Sequence, residues 1–190
     1  MARVSQLAFV VSLLAICWLA MMAVHEFGHV LGAVATGGSV ERVVLHPLAI
    51  SRTDVSPNPH PAIVVWMGPV IGCLLPVVFT TMVPARLVAL RNIAKFYAGF
   101  CLAANGAYIA IGSFEGIGDC GVMLATGASQ WSLVVFGAAT VPLGIFVWHK
   151  IGSLGEFLKQ PSLVTQRLAY ATTVALVVLI AIELLLSSRP

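Results

Sequence analysis

Residues 7–35 read LAFVVSLLAICWLAMMAVHEFGHVLGAVA, one apolar run with the pattern H-E-x-x-H inside it as His25-Glu26-Phe27-Gly28-His29. As a helix the run extends about 43 Å against a hydrocarbon core of about 30 Å, so it crosses a bilayer with tilt or protrusion. His25 and His29, four residues apart, then project from one face about 6 Å apart along the axis. Two imidazoles so placed can grip one metal ion. Glu26, rotated about 100° from His25, reaches a water on that metal without being a ligand, which is the arrangement of a zinc hydrolase.

Chance does not supply the pattern. With five His in the chain, a random arrangement of the same residues holds about 0.003 such motifs. A lone buried histidine is usually a satisfied core group. Here, however, three ionisable side chains crowd into five residues, and each costs about 2.5 to 3.5 kcal/mol near a bilayer centre. Metal binding offsets that cost. Counting back from Thr36-Gly37-Gly38, a helix stop, His29 is about 10 Å inside the helix end and His25 about 16 Å.

The remaining composition extends the reading to the whole chain. Hydrophobic residues make up 59% and charged residues 9%, with a mean hydropathy of +1.01, the profile of an integral, multi-pass membrane protein with the lipid bilayer as partner. A net charge of +3 without a basic run excludes a nucleic-acid partner. Cys17, Cys73, Cys101 and Cys120 form no C-x-x-C pair and read as small core residues. Arg3 before the apolar run suggests a signal peptide, but no small-residue cleavage site with a polar start follows, so the segment is read as retained. Residues 1–190 make one membrane-embedded domain without a separate soluble one.

The expected fold class is an all-α polytopic membrane protein of about five transmembrane helices, at 7–35, 62–83, 96–112, 131–149 and 168–186. Between the first two lies the longest polar stretch, 39–61. There Val40–Leu45 and Leu48–Thr53, separated by His46-Pro47, predict a short surface β-hairpin, whose open edge could pair with an extended peptide. His46 and His60 fit no metal spacing and read as loop residues. In the second span, Gly68-Pro69-Val70-Ile71-Gly72 and Pro76 read as helix-packing features. Residues 84–95, with Arg86, Arg91 and Lys95, read as a basic amphipathic connector. Asn105 is an amide inside the third span and needs partners. The glycine-rich stretch 112–127 interrupts helix, with Asp119 capping a short helix through Leu124. Residues 150–166 read as a mildly amphipathic loop.

A catalytic zinc takes three protein ligands and keeps one position open. His25 and His29 supply two. Asp54 lies in the polar loop, and Glu41, Glu156 and Glu183 look exposed or interfacial. Asp119 is the best third ligand, Glu115 the runner-up and Cys120 a less favoured substitute. Five alternating helices put the Ala35 end of the first span and Asp119 on one side.

At this point the chain resembles the site-2 protease family of intramembrane zinc metalloproteases, through H-E-F-G-H in a membrane helix, Gly68 to Gly72 in the next span, and Asn105 followed by Gly118-Asp119. The resemblance covers residues 7 to 127. It implies one Zn2+ held by His25, His29 and Asp119, Glu26 as the general base, Asn105 in contact with substrate, and a transmembrane protein as that substrate. It departs in that Gly118-Asp119-Cys120-Gly121 stands where Leu-Asp-Gly is usual, and the Asn-x-x-Pro run is missing. Seven of the Lys and Arg residues fall on the N-terminal side and three on the other, which by the positive-inside rule turns the site outward. The family generally has it nearer the cytosol. A membrane metal carrier or sensor, or a non-catalytic relative, would use the same four polar groups.

Overall fold

Leu, Ala and Val dominate the first thirty-five residues and no proline interrupts them, so one helix, α1 (Ala2–Ala35), runs through them all. It ends where Gly37 takes a left-handed φ of 76° and the Gly38 N–H turns back to the Ala33 carbonyl (2.8 Å). The computed structural model describes residues 2–151 and 166–187. After α1 come β1 (Val40–Val44), β2 (Arg52–Val55), α2 (Pro61–Met82), α3 (Val88–Glu115), α4 (Gly118–Ala125), α5 (Gln130–Ile151) and α6 (Gln166–Ser187). Five of these helices, α1, α2, α3, α5 and α6, are long and apolar enough to cross a membrane.

The two strands pair antiparallel, with Val43 opposite Thr53 and Val44 opposite Arg52. The hairpin forms as expected, but its second strand starts four residues later than the sequence suggests. Pro47 has no N–H to give a ladder, and the His46 carbonyl and Nδ1 accept from Ala49 N–H (3.2 Å) and Leu48 N–H (3.1 Å). Residues 45–51 therefore make a long turn.

The third long helix also corrects an expectation. The connector read over 84–95 is mostly the first turns of α3, because Ala89, Leu90, Arg91, Ala94 and Lys95 favour helix and no Pro or Gly interrupts 88–98. At its other end α3 passes Gly112 and stops at Gly116, whose φ of 64° suits glycine and whose N–H returns to Gly112 O. Gly112 sits inside the helix because a Cβ there would meet Cys120 Sγ at 2.7 Å. The expected interruption of helix thus falls at Gly116 and Ile117. Asp119 is not the cap of α4: Ile117 holds that position, and Asp119 lies in the first turn. The connector expected over 150–166, with Glu156 and Lys159, lies outside the described residues except at its ends.

Small residues set how closely the helices pack. α3 lies along α5, with Gly99 facing Gly144 and Gly106 facing Gly137, so that a Cβ on Gly144 would meet Gly99 O at 2.6 Å. α6 packs on α1, where Ser12 Oγ and Thr173 Oγ1 are 3.1 Å apart. Val65, Ile109, Cys120, Met123 and Leu133 form a buried cluster that joins α2, α3, α4 and α5. Burying Cys120 and Met123 there turns the preceding residue, Asp119, toward α1.

Candidate metal centre

Helical spacing alone brings His25 and His29 together: their ring centroids lie 4.8 Å apart, the rings inclined at 74°. α4 delivers Asp119 against them. Its Oδ2 is 2.8 Å from His25 Nε2 and 3.4 Å from His29 Nε2, and one donor atom from each residue lies within 4.8 Å of the other two. Glu115 remains exposed. Cys120 is buried with Sγ against the Ile109 carbonyl (3.6 Å), and burial pushes its thiol up to about 11. His46 and His60 stay apart from the group.

The partners of the remaining ring nitrogens decide where the protons sit. His29 Nδ1 is 2.9 Å from Val64 O. A carbonyl only accepts, so Nδ1 carries the hydrogen and Nε2 keeps its lone pair. His25 Nδ1 is 2.7 Å from Asn105 Oδ1, and the orientation of that amide follows from its Nδ2, which donates to Cys101 O at 2.9 Å. Oδ1 therefore faces His25, and again Nδ1 is the donor. Two Nε2 lone pairs and a carboxylate oxygen thus point into one space. Such atoms repel unless a cation or a proton lies between them. Two imidazoles and one carboxylate are the protein ligands of a catalytic zinc site, and these residues fit one divalent metal. Burial alone would raise the Asp119 carboxyl, but whenever a proton rather than a metal lies between its Oδ2 and the two imidazoles, their hydrogen bonds and charge outweigh burial and hold it below the usual carboxylate range.

The second helix makes room for the rings. A Cβ on Gly68 would stand 2.5 Å from His29 Nε2 and 2.9 Å from His25 Nε2. Gly28, between the two histidines, lets α2 approach in turn, since a Cβ there would come 2.8 Å from Gly68 Cα. Pro69 cannot donate to the Val65 carbonyl and loosens α2 at the turn whose Val64 O accepts from His29. Gly72 faces Asn105, and a Cβ on it would come 2.9 Å from the amide atoms. The G-P-x-x-G element read as helix packing therefore also shapes the ligand set.

Glu26 is buried beside the group without joining it. Thr53 of β2 donates its hydroxyl to Glu26 Oε2 at 2.7 Å. A cavity of about 1220 Å³ opens here, lined by His25, Glu26, His29 and Asp119 from the helices and by Leu48 to Val55 of the hairpin. Asn105, expected at the substrate, is 1% exposed. It borders the cavity all the same, and with Oδ1 on His25 and Nδ2 on Cys101 O it also orients His25. Sequence reasoning missed three participants: Thr53 on Glu26, Val64 O on His29, and Tyr108, whose Oη accepts the Asp119 N–H at 3.1 Å. Only Tyr108 carried a signal, a polar aromatic three residues after Asn105 and so on its helix face. Compared with models of protein families, with curated proteins and with solved structures, the chain matches none.

Proposed function

We propose that the chain is an intramembrane zinc metalloprotease that hydrolyses peptide bonds of membrane-spanning proteins. One observation carries the reading: two Nε2 lone pairs and the Asp119 carboxylate converge beside a separately held carboxylate, Glu26, in a cavity among helices apolar enough to span a bilayer. A buried carboxylate that stands off the ligands yet borders them is what a general base requires, whereas a transport site would have it as a ligand.

His25, His29 and Asp119 would hold zinc, with Asn105 Oδ1 and Val64 O fixing the two imidazoles. When bound, zinc supplies a Lewis acid and lowers the pKa of water toward about 7. Glu26 takes the proton of the attacking water at its carboxylate and passes it to the leaving amine nitrogen. Thr53 Oγ1, donating to Oε2, holds that carboxylate in one rotamer. A helical substrate hides its peptide groups in hydrogen bonds, so it must unwind before attack. The hairpin offers it an extended partner. It has two strands, so each keeps an outer edge, and Thr53 brings β2 to the site.

The test uses the purified chain in liposomes with a single-span peptide. Cleavage inside the apolar segment, abolished by 1,10-phenanthroline and restored by zinc, supports the reading. Zinc bound at one equivalent without cleavage of a substrate panel would contradict it.

A further inference from the structure

Tyr108 lines the cavity, and the steps above give it no task. Its ring stands edge-on to His25, centroids 5.9 Å apart and planes at 72°. Its Oη accepts the Asp119 backbone N–H at 3.1 Å. A phenol has one hydrogen to donate. Among the described residues no acceptor takes it, and the side chain is 40% exposed. Gly118 leaves room for this hydroxyl, since a Cβ there would come 2.6 Å from Oη.

The other donors near the ligands already have partners, although Asn105 and Arg52 keep further N–H groups. Thr53 Oγ1 gives its hydrogen to Glu26, and Asn105 Nδ2 gives one to Cys101 O. Arg52 Nε lies on Asp54 at 3.3 Å. Hydrolysis of a peptide develops negative charge on the carbonyl oxygen, and a preorganised donor aimed at that oxygen is one of the strongest sources of rate acceleration in acyl transfer.

We propose that Tyr108 is a further catalytic residue, donating its Oη–H as a hydrogen bond to the carbonyl oxygen of the scissile peptide while that oxygen becomes an oxyanion. The inference rests on the protease reading. As the water oxygen bonds to the carbonyl carbon, the C=O π pair moves onto the oxygen that Tyr108 holds. The water proton goes to Glu26. When the C–N bond breaks, the pair returns to re-form C=O, the amine nitrogen takes the proton from Glu26, and the Tyr108 proton never leaves Oη.

Tyr108→Phe tests this with two readouts. Expected are a fall in kcat of about 10² to 10³ with KM and zinc content unchanged, and a comparable loss of affinity for a phosphinic peptide, whose tetrahedral P–O⁻ imitates the oxyanion. In the Glu26→Gln background, binding of the uncut peptide should be the same with Tyr or Phe at 108. Wild-type kcat and phosphinic affinity in Tyr108→Phe would overturn the inference and leave the protease reading intact. Loss of zinc would overturn it too, by showing that Tyr108 only positions Asp119. A wild-type protein that cuts no peptide would remove the protease reading itself.

Discussion

Replacing Gly68 with alanine puts one methyl group where the two metal-facing nitrogens are. The added Cβ would lie 2.5 Å from His29 Nε2 and 2.9 Å from His25 Nε2. Ordinary contact begins near 3.4 Å, and His29 Cε1 would be nearer still than Nε2, so the His29 ring must retreat by about 1.1 Å and the His25 ring by about 0.5 Å. The backbones cannot separate to absorb this, because Gly28 already holds α1 against Met67 and Gly68. Metal–ligand distances tolerate about 0.2 Å, so neither histidine keeps its bond. Disturbing outer-shell partners alone costs about 10- to 100-fold in metal affinity, and displacing two ligands should exceed the upper figure. Overpacking adds about 1 to 3 kcal/mol of destabilisation. Competition against a chromogenic chelator gives the affinity, and the absorption spectrum of the cobalt-substituted protein reports the coordination. Helical circular dichroism and a single gel-filtration peak establish that the variant folds. A folded Gly68→Ala protein that binds zinc within about threefold of wild type would refute the placement of the ligands against α2.

Three other changes follow from contacts at or near the site. Thr53→Val removes the hydroxyl from Glu26 Oε2 at nearly constant shape, and kcat should fall about tenfold with zinc content unchanged, Thr53→Ser restoring it. Asn105→Leu frees the His25 ring, and zinc affinity measured by chelator competition should weaken about 10- to 100-fold. Glu183, in α6, is 2% exposed rather than exposed or interfacial as its sequence position suggests, and among the described residues neither carboxyl oxygen has a hydrogen-bond partner; Glu183→Leu should stabilise the protein by about 1 to 3 kcal/mol, read as a higher midpoint of thermal aggregation, and a lower midpoint would mean the carboxyl is needed.

What the sequence made legible follows from what has short-range signals. Apolar runs gave away the five long helices, because length and hydropathy are local properties. The spacing of His25, Glu26 and His29 needed only the 3.6-residue period. Asp119 could be named by elimination, since the chain has few acids, but its approach to the histidines depends on Cys120 and Met123 burying the opposite face of α4. Helix ends were less legible, as Gly112 looked like a stop and proved to be clearance for Cys120 Sγ. Gly68 and Thr53 were opaque for the same reason. Both act across elements, one by lacking a side chain and one by a single hydroxyl; the G-x-x-x-G spacing marked Gly68 only as a packing residue, and no local pattern marks Thr53. Asn105 was legible as a buried amide in need of partners, while its actual partners, His25 Nδ1 and Cys101 O, required the packing of α3 on α1.

The central claim is that three residues hold the metal while Glu26 handles the proton. Zinc content and cleavage of a single-span peptide, measured side by side on the wild-type protein and on Glu26→Gln, test it most directly. The account predicts one equivalent of zinc in both and cleavage by the wild type alone. Equal cleavage by both, or loss of zinc from Glu26→Gln, would contradict it.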